Sequence, residues 1–446
     1  MSELKEQGDY FGTEKVSKIL LKLAPPVMLA QLIQSLYNIV DSAFVGRYSD
    51  SGLTALSIVF PLQLLMIALA SGTGVGINTI MAAKLGMNRP DKANEYAGVG
   101  TPLAFVLWVL FAAVCFAIMP AYARTQTDTP AVIEDVIVYG RIVCIFSLGI
   151  FLESVWTKIL QARGDMKTPM AAQITGALTN IVLDAVLILG FGPLPALGMV
   201  GAAVATVIGQ TVAALIVMKK ALYRSPALSK YPHYVGRIFK MGAPNMLMQS
   251  TYTLYIFGLN MILATFSDAA VTVLGLYYKW QNFFFIPLGA MQTCLVPIIS
   301  FNYATKKLHR CKSALNTALL YGGVIMVVSM AVFIMFPAPL IQIFSSDPLV
   351  SEIGIPAFRI IGLGFIPLVV SLTYPILFQA VGKSGTSTFL TVLRTIVLFV
   401  PLAYLFSRFG LQYFWFTYLV TDGITATSGF LLAHRFFKTS AKEELK

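Results

Sequence analysis

Stretches of twenty or more mostly apolar residues recur along the whole chain, parted by short polar segments. A hydrocarbon core about 30 Å thick is crossed by roughly 20 residues of helix, so these stretches can be counted as spans. Twelve are found, near residues 18–46, 53–83, 93–122, 131–162, 168–191, 198–222, 237–266, 270–301, 313–338, 349–380, 386–407 and 411–435. They lack the period-2 alternation of barrel strands, and backbone inside lipid must bond to itself, so helices are expected. Charged residues make up only 12% of the 446, against about 25% in soluble domains, too few for a water-facing surface. The expected fold is an all-α polytopic membrane protein with twelve transmembrane helices.

The net charge of +12 forms no basic patch with interleaved stacking residues, so no nucleic acid partner is expected. With the spans running alternately outward and inward, 24 lysines and arginines fall on one side and three, Arg47, Arg124 and Arg408, on the other. The positive-inside rule then places both termini in the cytoplasm. The opening residues mix four acids with two lysines and lack an apolar stretch before a small-residue cleavage site, so they read as a cytoplasmic arm and not as a removable signal peptide. Cys115, Cys144, Cys294 and Cys311 have no paired spacing, which suits core residues better than disulfides or a zinc site.

The second half of the chain repeats the first at an offset of about 218. Lys18-Ile19 and Ala24-Pro25 recur as Arg237-Ile238 and Ala243-Pro244, and Arg141-Ile142 as Arg359-Ile360. The firmest match sets Gln161-Ala162-Arg163-Gly164 against Gln379-Ala380-Val381-Gly382. Two lobes of six helices follow, and because six is even both begin on the same side. They are then related by a pseudo-two-fold axis along the membrane normal, as in transporters that rock one half against the other. The expected organisation is an arm at 1–17, an N-lobe at 18–222, a cytoplasmic loop at 223–236, a C-lobe at 237–435 and a tail at 436–446.

Within the spans, four acids stand out: Asp41, Glu153, Asp184 and Asp422. A charge at the bilayer centre costs at least about 2.5–3.5 kcal/mol, so such residues are functional candidates. Tyr37 lies four residues before Asp41 and Asn38 three before, while Asn180 lies four before Asp184; each set shares a helix face. Two carboxylates brought together in a poorly solvated place repel each other, and a bound proton or small hard cation relieves that repulsion. The alternative is a satisfied network that merely holds two helices together. Glu153 lies near the basic end carrying Lys158 and Arg163, so snorkelling or a local ion pair is at least as good a reading as a part in transport. Asp422, beside Thr421 and Thr425, is expected to cap or bridge helices, and Arg141 and Arg359 to serve as structural partners, one in each half.

An adaptable substrate cavity would draw on amides and aromatics, with Gln34, Tyr37, Asn38, Tyr255, Lys279, Trp280, Asn282 and Phe284 as candidates. Lys279 is a lone cation amid aromatics. Pro25-Pro26 lies about four turns before Asp41 and marks the first span for bending. No metal or cofactor site is expected: the three histidines fall in cytoplasmic segments, and neither HExxH nor Gly-x-Ser-x-Gly occurs.

These residues carry a resemblance. Ala24-Pro25-Pro26, Gln34 through Ser42 and Phe44-Val45-Gly46 resemble the first span of the multidrug and toxic compound extrusion (MATE) family. Gln161 through Asp165, Lys167-Thr168-Pro169 and Asn180 through Asp184 resemble its fourth-to-fifth-span region. The likeness covers nearly the whole chain and is greatest for the prokaryotic, DNA-damage-inducible-like branch. It implies a non-enzymatic antiporter that exports amphipathic, often cationic organic compounds in exchange for protons, or for sodium. It also implies a monomer in a bacterial or archaeal plasma membrane. By this resemblance Asp41, Tyr139, Asn180 and Asp184, with Tyr37 beside them, match the first-lobe proton or cation site. Where the branch can carry a threonine early in the sixth span this chain has Gly201-Ala202-Ala203, with Thr206 a turn later, and the second-lobe acids of the sodium-driven branch are absent. Both departures favour proton coupling. A lipid-linked precursor flippase of related two-lobed build is the alternative; it would need a strongly cationic cavity, for which only Lys279, Arg141 and Arg359 offer themselves.

Overall fold

The computed structural model describes residues 10–190 and 195–444; the first nine residues of the expected arm and the last two of the tail lie outside them. Among the described residues the fold is helical with no strand. The first half contains α1 (Val16–Tyr48), α2 (Asp50–Gly86), α3 (Pro90–Gln126), α4 (Pro130–Ile145), α5 (Leu148–Ala162), α6 (Lys167–Leu187) and α7 (Gly198–Ala221). The second begins with α8 (Tyr231–Ala264), α9 (Asp268–Phe284), α10 (Ile286–Ala304), α11 (Leu308–Met335) and the short α12 (Pro337–Gln342). It continues with α13 (Pro348–Leu363), α14 (Phe365–Ala380), α15 (Ser384–Val392), a π-helical segment at Leu393–Phe399, α16 (Val400–Ser407), α17 (Leu411–Phe414) and α18 (Phe416–Glu444).

By length and composition seven spans are straightforward, and three bent pairs, α4 with α5, α9 with α10 and α13 with α14, bring the number to ten. The remaining two expected spans correspond to α8, of 34 residues, and α18, of 29, which are long enough to cross but more polar. The bends measure 44°, 52° and 51°. Two of them have a covalent cause: Pro287 and Pro367 lack the N–H for a bond to Phe283 and Leu363 and crowd those carbonyls, and the breaks fall at Phe285 and Gly364. The third, at Phe146-Ser147, contains no proline. It precedes Gly149, where a Cβ would lie 2.8 Å from the Thr211 backbone nitrogen, so this span bends where it runs against the α7 backbone.

The chain divides into two compact units, one made of Pro26–Met246 and the other of the residues up to Pro25 together with those from Leu247 onward. Each has its own hydrophobic core. The division falls inside α1 and inside α8 and not in the loop at 223–236. Specific contacts account for this. In the second unit the Phe11 side chain is buried against Phe301, and the carbonyls of Phe11, Gly12 and Glu14 accept hydrogen bonds from Asn302, Lys307 and Arg310. In the first unit the Tyr234 hydroxyl donates to Glu95, and Gly72 and Gly76 let the backbone at Gly242 and Ile238 approach closely. All four cysteines are buried within the helices.

Candidate functional site

Four helices of the first unit converge on one polar cluster. α1 supplies Tyr37 and Asp41, α4 supplies Tyr139, α6 supplies Asn180 and Asp184, and α7 supplies Thr206. Asp184 is 0% exposed and Asp41 9%. The two carboxyl groups face each other within hydrogen-bonding reach, and Tyr37 lies beside both. The Asn180 amide is oriented with its NH2 toward Asp184 Oδ2 at 3.2 Å and its oxygen toward the Thr206 backbone N–H at 3.1 Å. The Tyr139 hydroxyl accepts a hydrogen bond from Gln63 at 3.4 Å and lies beside the Thr206 side chain. Asp41 and Asp184 each retain one buried carboxylate oxygen with no hydrogen-bond partner. An unpartnered buried carboxylate oxygen is costly, and a proton or a small cation shared between the two groups removes that cost.

The helices come close enough because of glycine. At Gly209 on α7 a Cβ would stand 2.8 Å from the Gly176 carbonyl oxygen and 3.0 Å from Asn180 Cβ, so α6 and α7 touch backbone to backbone one turn from Asn180. Beside the cluster lies a cavity of about 70 Å³ lined by Gln34, Tyr37, Asn180, Thr206, Gln210 and Glu153, among others. That is room for a few waters. Glu153 accepts hydrogen bonds from Thr157 (2.8 Å) on its own helix and Gln173 (3.4 Å) on α6, while Lys158 donates to Gln161. Glu153 therefore turns toward the cavity.

The structure brings Tyr37, Asp41, Tyr139, Asn180 and Asp184 together, with Gln34 on the cavity wall. Asn38 is exposed, its carbonyl accepting from Ser42. α1 runs through Pro25 and Pro26 without a break. Of the second-lobe candidates for a substrate cavity, Tyr255, Trp280 and Phe284 share one hydrophobic cluster, while Lys279 and Asn282 are exposed. Tyr255 stacks on Phe399, with ring centroids 4.7 Å apart. Lys279 is exposed and lies over the Phe344 ring, while Trp280 donates to the Leu340 carbonyl and packs on Phe284 and Phe344. Residues 279 and 280 thus face the 336–347 segment, and Asn282 is exposed. Arg141 lies over the Phe116 ring and Arg359 is exposed, so the equivalent arginines have different surroundings.

Sequence reasoning passed over Arg394, which pairs with Asp422 in the second unit. The signal was present: an arginine in one apolar span and an acid in the next predict each other, since neither is tolerated alone.

A duplicated helical bundle with a buried acidic cluster in one lobe is an architecture that suits a membrane transporter. The MatE family profile matches residues 26–186 and again residues 244–405, so the repeat read from short motifs is one family unit used twice, and the chain belongs to the MATE family of transporters. The multidrug export protein MepA of Staphylococcus aureus (strain MRSA252) is 24% identical over 444 residues, with 96% of each chain covered. A MATE crystal structure in the bent conformation superposes with a TM-score of 0.91, and one in the straight conformation with 0.90. Each is 24% identical, and the match covers 98% of this chain and 99% of the other.

Proposed function

We propose that this protein is a secondary active antiporter that exports amphipathic, often cationic organic compounds, driven by entry of protons at the Asp41–Asp184 cluster. The observation that carries the reading is the convergence of two buried carboxyl groups, each with an unpartnered oxygen, beside Tyr37, Tyr139 and Asn180 in a MATE chain. Similarity along 96% of its length to a multidrug export protein supports the substrate class. Sodium is the second coupling ion to test, because Asp41, Asp184, Tyr37 and Tyr139 offer oxygen ligands and Thr206 sits at the cluster despite its late position in sequence. One proton crossing about 100 mV provides roughly 2.3 kcal/mol, enough for a gradient on the order of fifty-fold.

In the proposed cycle, the ionised pair holds the state that accepts the compound from the inner side. Proton entry from outside lets the carboxyl groups share a hydrogen bond, α1 repacks around Pro25-Pro26, and the compound is released outward. The protein works as a monomer in a prokaryotic plasma membrane, with both termini in the cytoplasm. The flippase alternative gains nothing from Lys279, Arg141 and Arg359, each held in its own separate surroundings. Proteoliposomes loaded with a fluorescent organic cation provide the test. A proton gradient should drive transport, a sodium gradient alone should not, and Asp41→Asn and Asp184→Asn should each abolish it. Undiminished proton-driven transport in both variants would remove the assignment.

A further inference from the structure

The second lobe has a buried polar core of its own. Asp422, 0% exposed on α18, accepts hydrogen bonds at Oδ1 from Arg394 Nε (2.6 Å) and Ser371 Oγ (2.6 Å), and at Oδ2 from Arg394 Nη2 (3.3 Å). Arg394 is itself buried and lies over the Phe399 ring, 4.9 Å from its centroid. Both residues belong to the π-helical segment Leu393–Phe399, a departure from α-geometry that recurs at functional sites. Tyr255 stacks on Phe399, and Tyr418 meets the same ring edge-on. The Tyr418 and Tyr278 hydroxyls are 2.9 Å apart, and Tyr277 packs against Tyr418. The buried hydroxyls of Tyr277 and Thr425 have no hydrogen-bond partner.

The elements that build this core are the repeat counterparts of those around the first-lobe cluster. α8 answers α1, the span holding α15 and the π segment answers α6, and α18 answers α7. At the offset fixed by the Gln161 and Gln379 motifs, Ser371 on α14 answers Glu153 on α5. The charge, however, is arranged differently. Among the described residues no ion pair involves Asp41 or Asp184, whereas Asp422 is paired with a guanidinium that never loses its proton. A neutral hydrogen-bonded pair would tie the same helices at a smaller desolvation cost, so the ionic pair calls for a reason beyond adhesion.

We infer that the Asp422 core is a second, latent cation site and that Arg394 is its resident cation. The guanidinium fills the seat that a mobile ion takes in the first lobe, and keeps Asp422 neutralised throughout transport. Arg394 thereby limits ion exchange to one lobe and sets how many ions accompany each exported molecule. The last step rests on the proposed coupling role of Asp41 and Asp184, whereas the latent site itself does not.

The first test is therefore made in an Asp41→Asn, Asp184→Asn background, where the first lobe is silent whatever its role. Melting of the purified protein is followed as sodium or lithium chloride replaces choline chloride at constant ionic strength. Arg394→Ala should lower the melting temperature, sodium or lithium should raise it again in a saturable way, and adding Asp422→Asn should abolish that rise. Equal melting in all three salts would overturn the latent site. Should Arg394→Ala not fold, the otherwise native chain carrying Arg394→Met with Asp422→Asn decides the matter through its ion-to-drug stoichiometry, read as a reversal potential. An unchanged stoichiometry is expected; a changed one would mean that the second lobe exchanges ions itself, and would refute the inference.

Discussion

Gly209→Ala should damage the first-lobe site without touching any of its polar groups. The added methyl would stand 2.8 Å from the Gly176 carbonyl oxygen and 3.0 Å from Asn180 Cβ. Ordinary contact begins near 3.4–3.5 Å, so α6 and α7 must part by roughly 0.6 Å. The hydrogen bond from the Thr206 N–H to the Asn180 oxygen is already 3.1 Å long, and the same displacement carries it past the useful limit of about 3.5 Å. Overpacking of this kind costs roughly 1–3 kcal/mol, with about 1–3 kcal/mol more for a buried amide left unpartnered. The expected result is a lower melting temperature in detergent, together with loss of ion-driven efflux at normal expression. Gly275→Ala serves as the control, since nothing lies within 4 Å of its Cβ position in α9 and the helix should gain slightly. If Gly209→Ala matched the native protein in both assays, close packing of α6 on α7 could not be what positions Asn180.

Asp165, in the turn before α6, accepts from the Thr168 backbone and side chain and from Lys220. Burial works against its ionised form, but these partners outweigh it and hold the carboxyl below its ordinary range. Its stabilisation is thus present at neutral pH and disappears as pH falls through the depressed value. Asp165→Ala should cost about 1 kcal/mol near pH 7, and the difference from the native protein should close in acid, as followed by melting. Arg310→Ala removes donors to the Phe11 and Glu14 carbonyls; about 2 kcal/mol of local anchoring should be lost, and trypsin should cut sooner at Lys15. Lys279→Met should leave efflux near native, since the ammonium is exposed over Phe344; a severe loss would return Lys279 to the substrate path.

Much of the fold was legible because the bilayer imposes a length rule on apolar runs, and because the duplication left Gln161 and Gln379 in the same local motif. The bends were less so. Pro287 and Pro367 are visible in sequence, but a proline within a span is often accommodated, and the bend after Ile145 depends on the approach of Gly149 to Thr211, which only packing reveals. At the site, i to i+4 spacing placed Asn180 with Asp184 and Tyr37 with Asp41, whereas Tyr139 came only with the family resemblance. The role of Glu153 stayed open in sequence because distance along the helix to Lys158 says nothing of which way each side chain turns. The second-lobe aromatics were chosen for their chemistry, without a spacing rule to tie them together; Trp280 packs on Phe284, while Tyr255 stacks on Phe399.

The small size of the first-lobe cavity carries a consequence for pharmacology. Its volume of about 70 Å³ falls well short of the roughly 300–1,000 Å³ of pockets that take drug-sized molecules. If the cluster works as proposed, a compound of that size would not fit in this cavity and would not contend with a bound proton for the same atoms. Antagonism between ion and cargo would then operate at a distance and obey reciprocity: whatever factor protonation took from drug affinity, the bound drug would take from proton affinity.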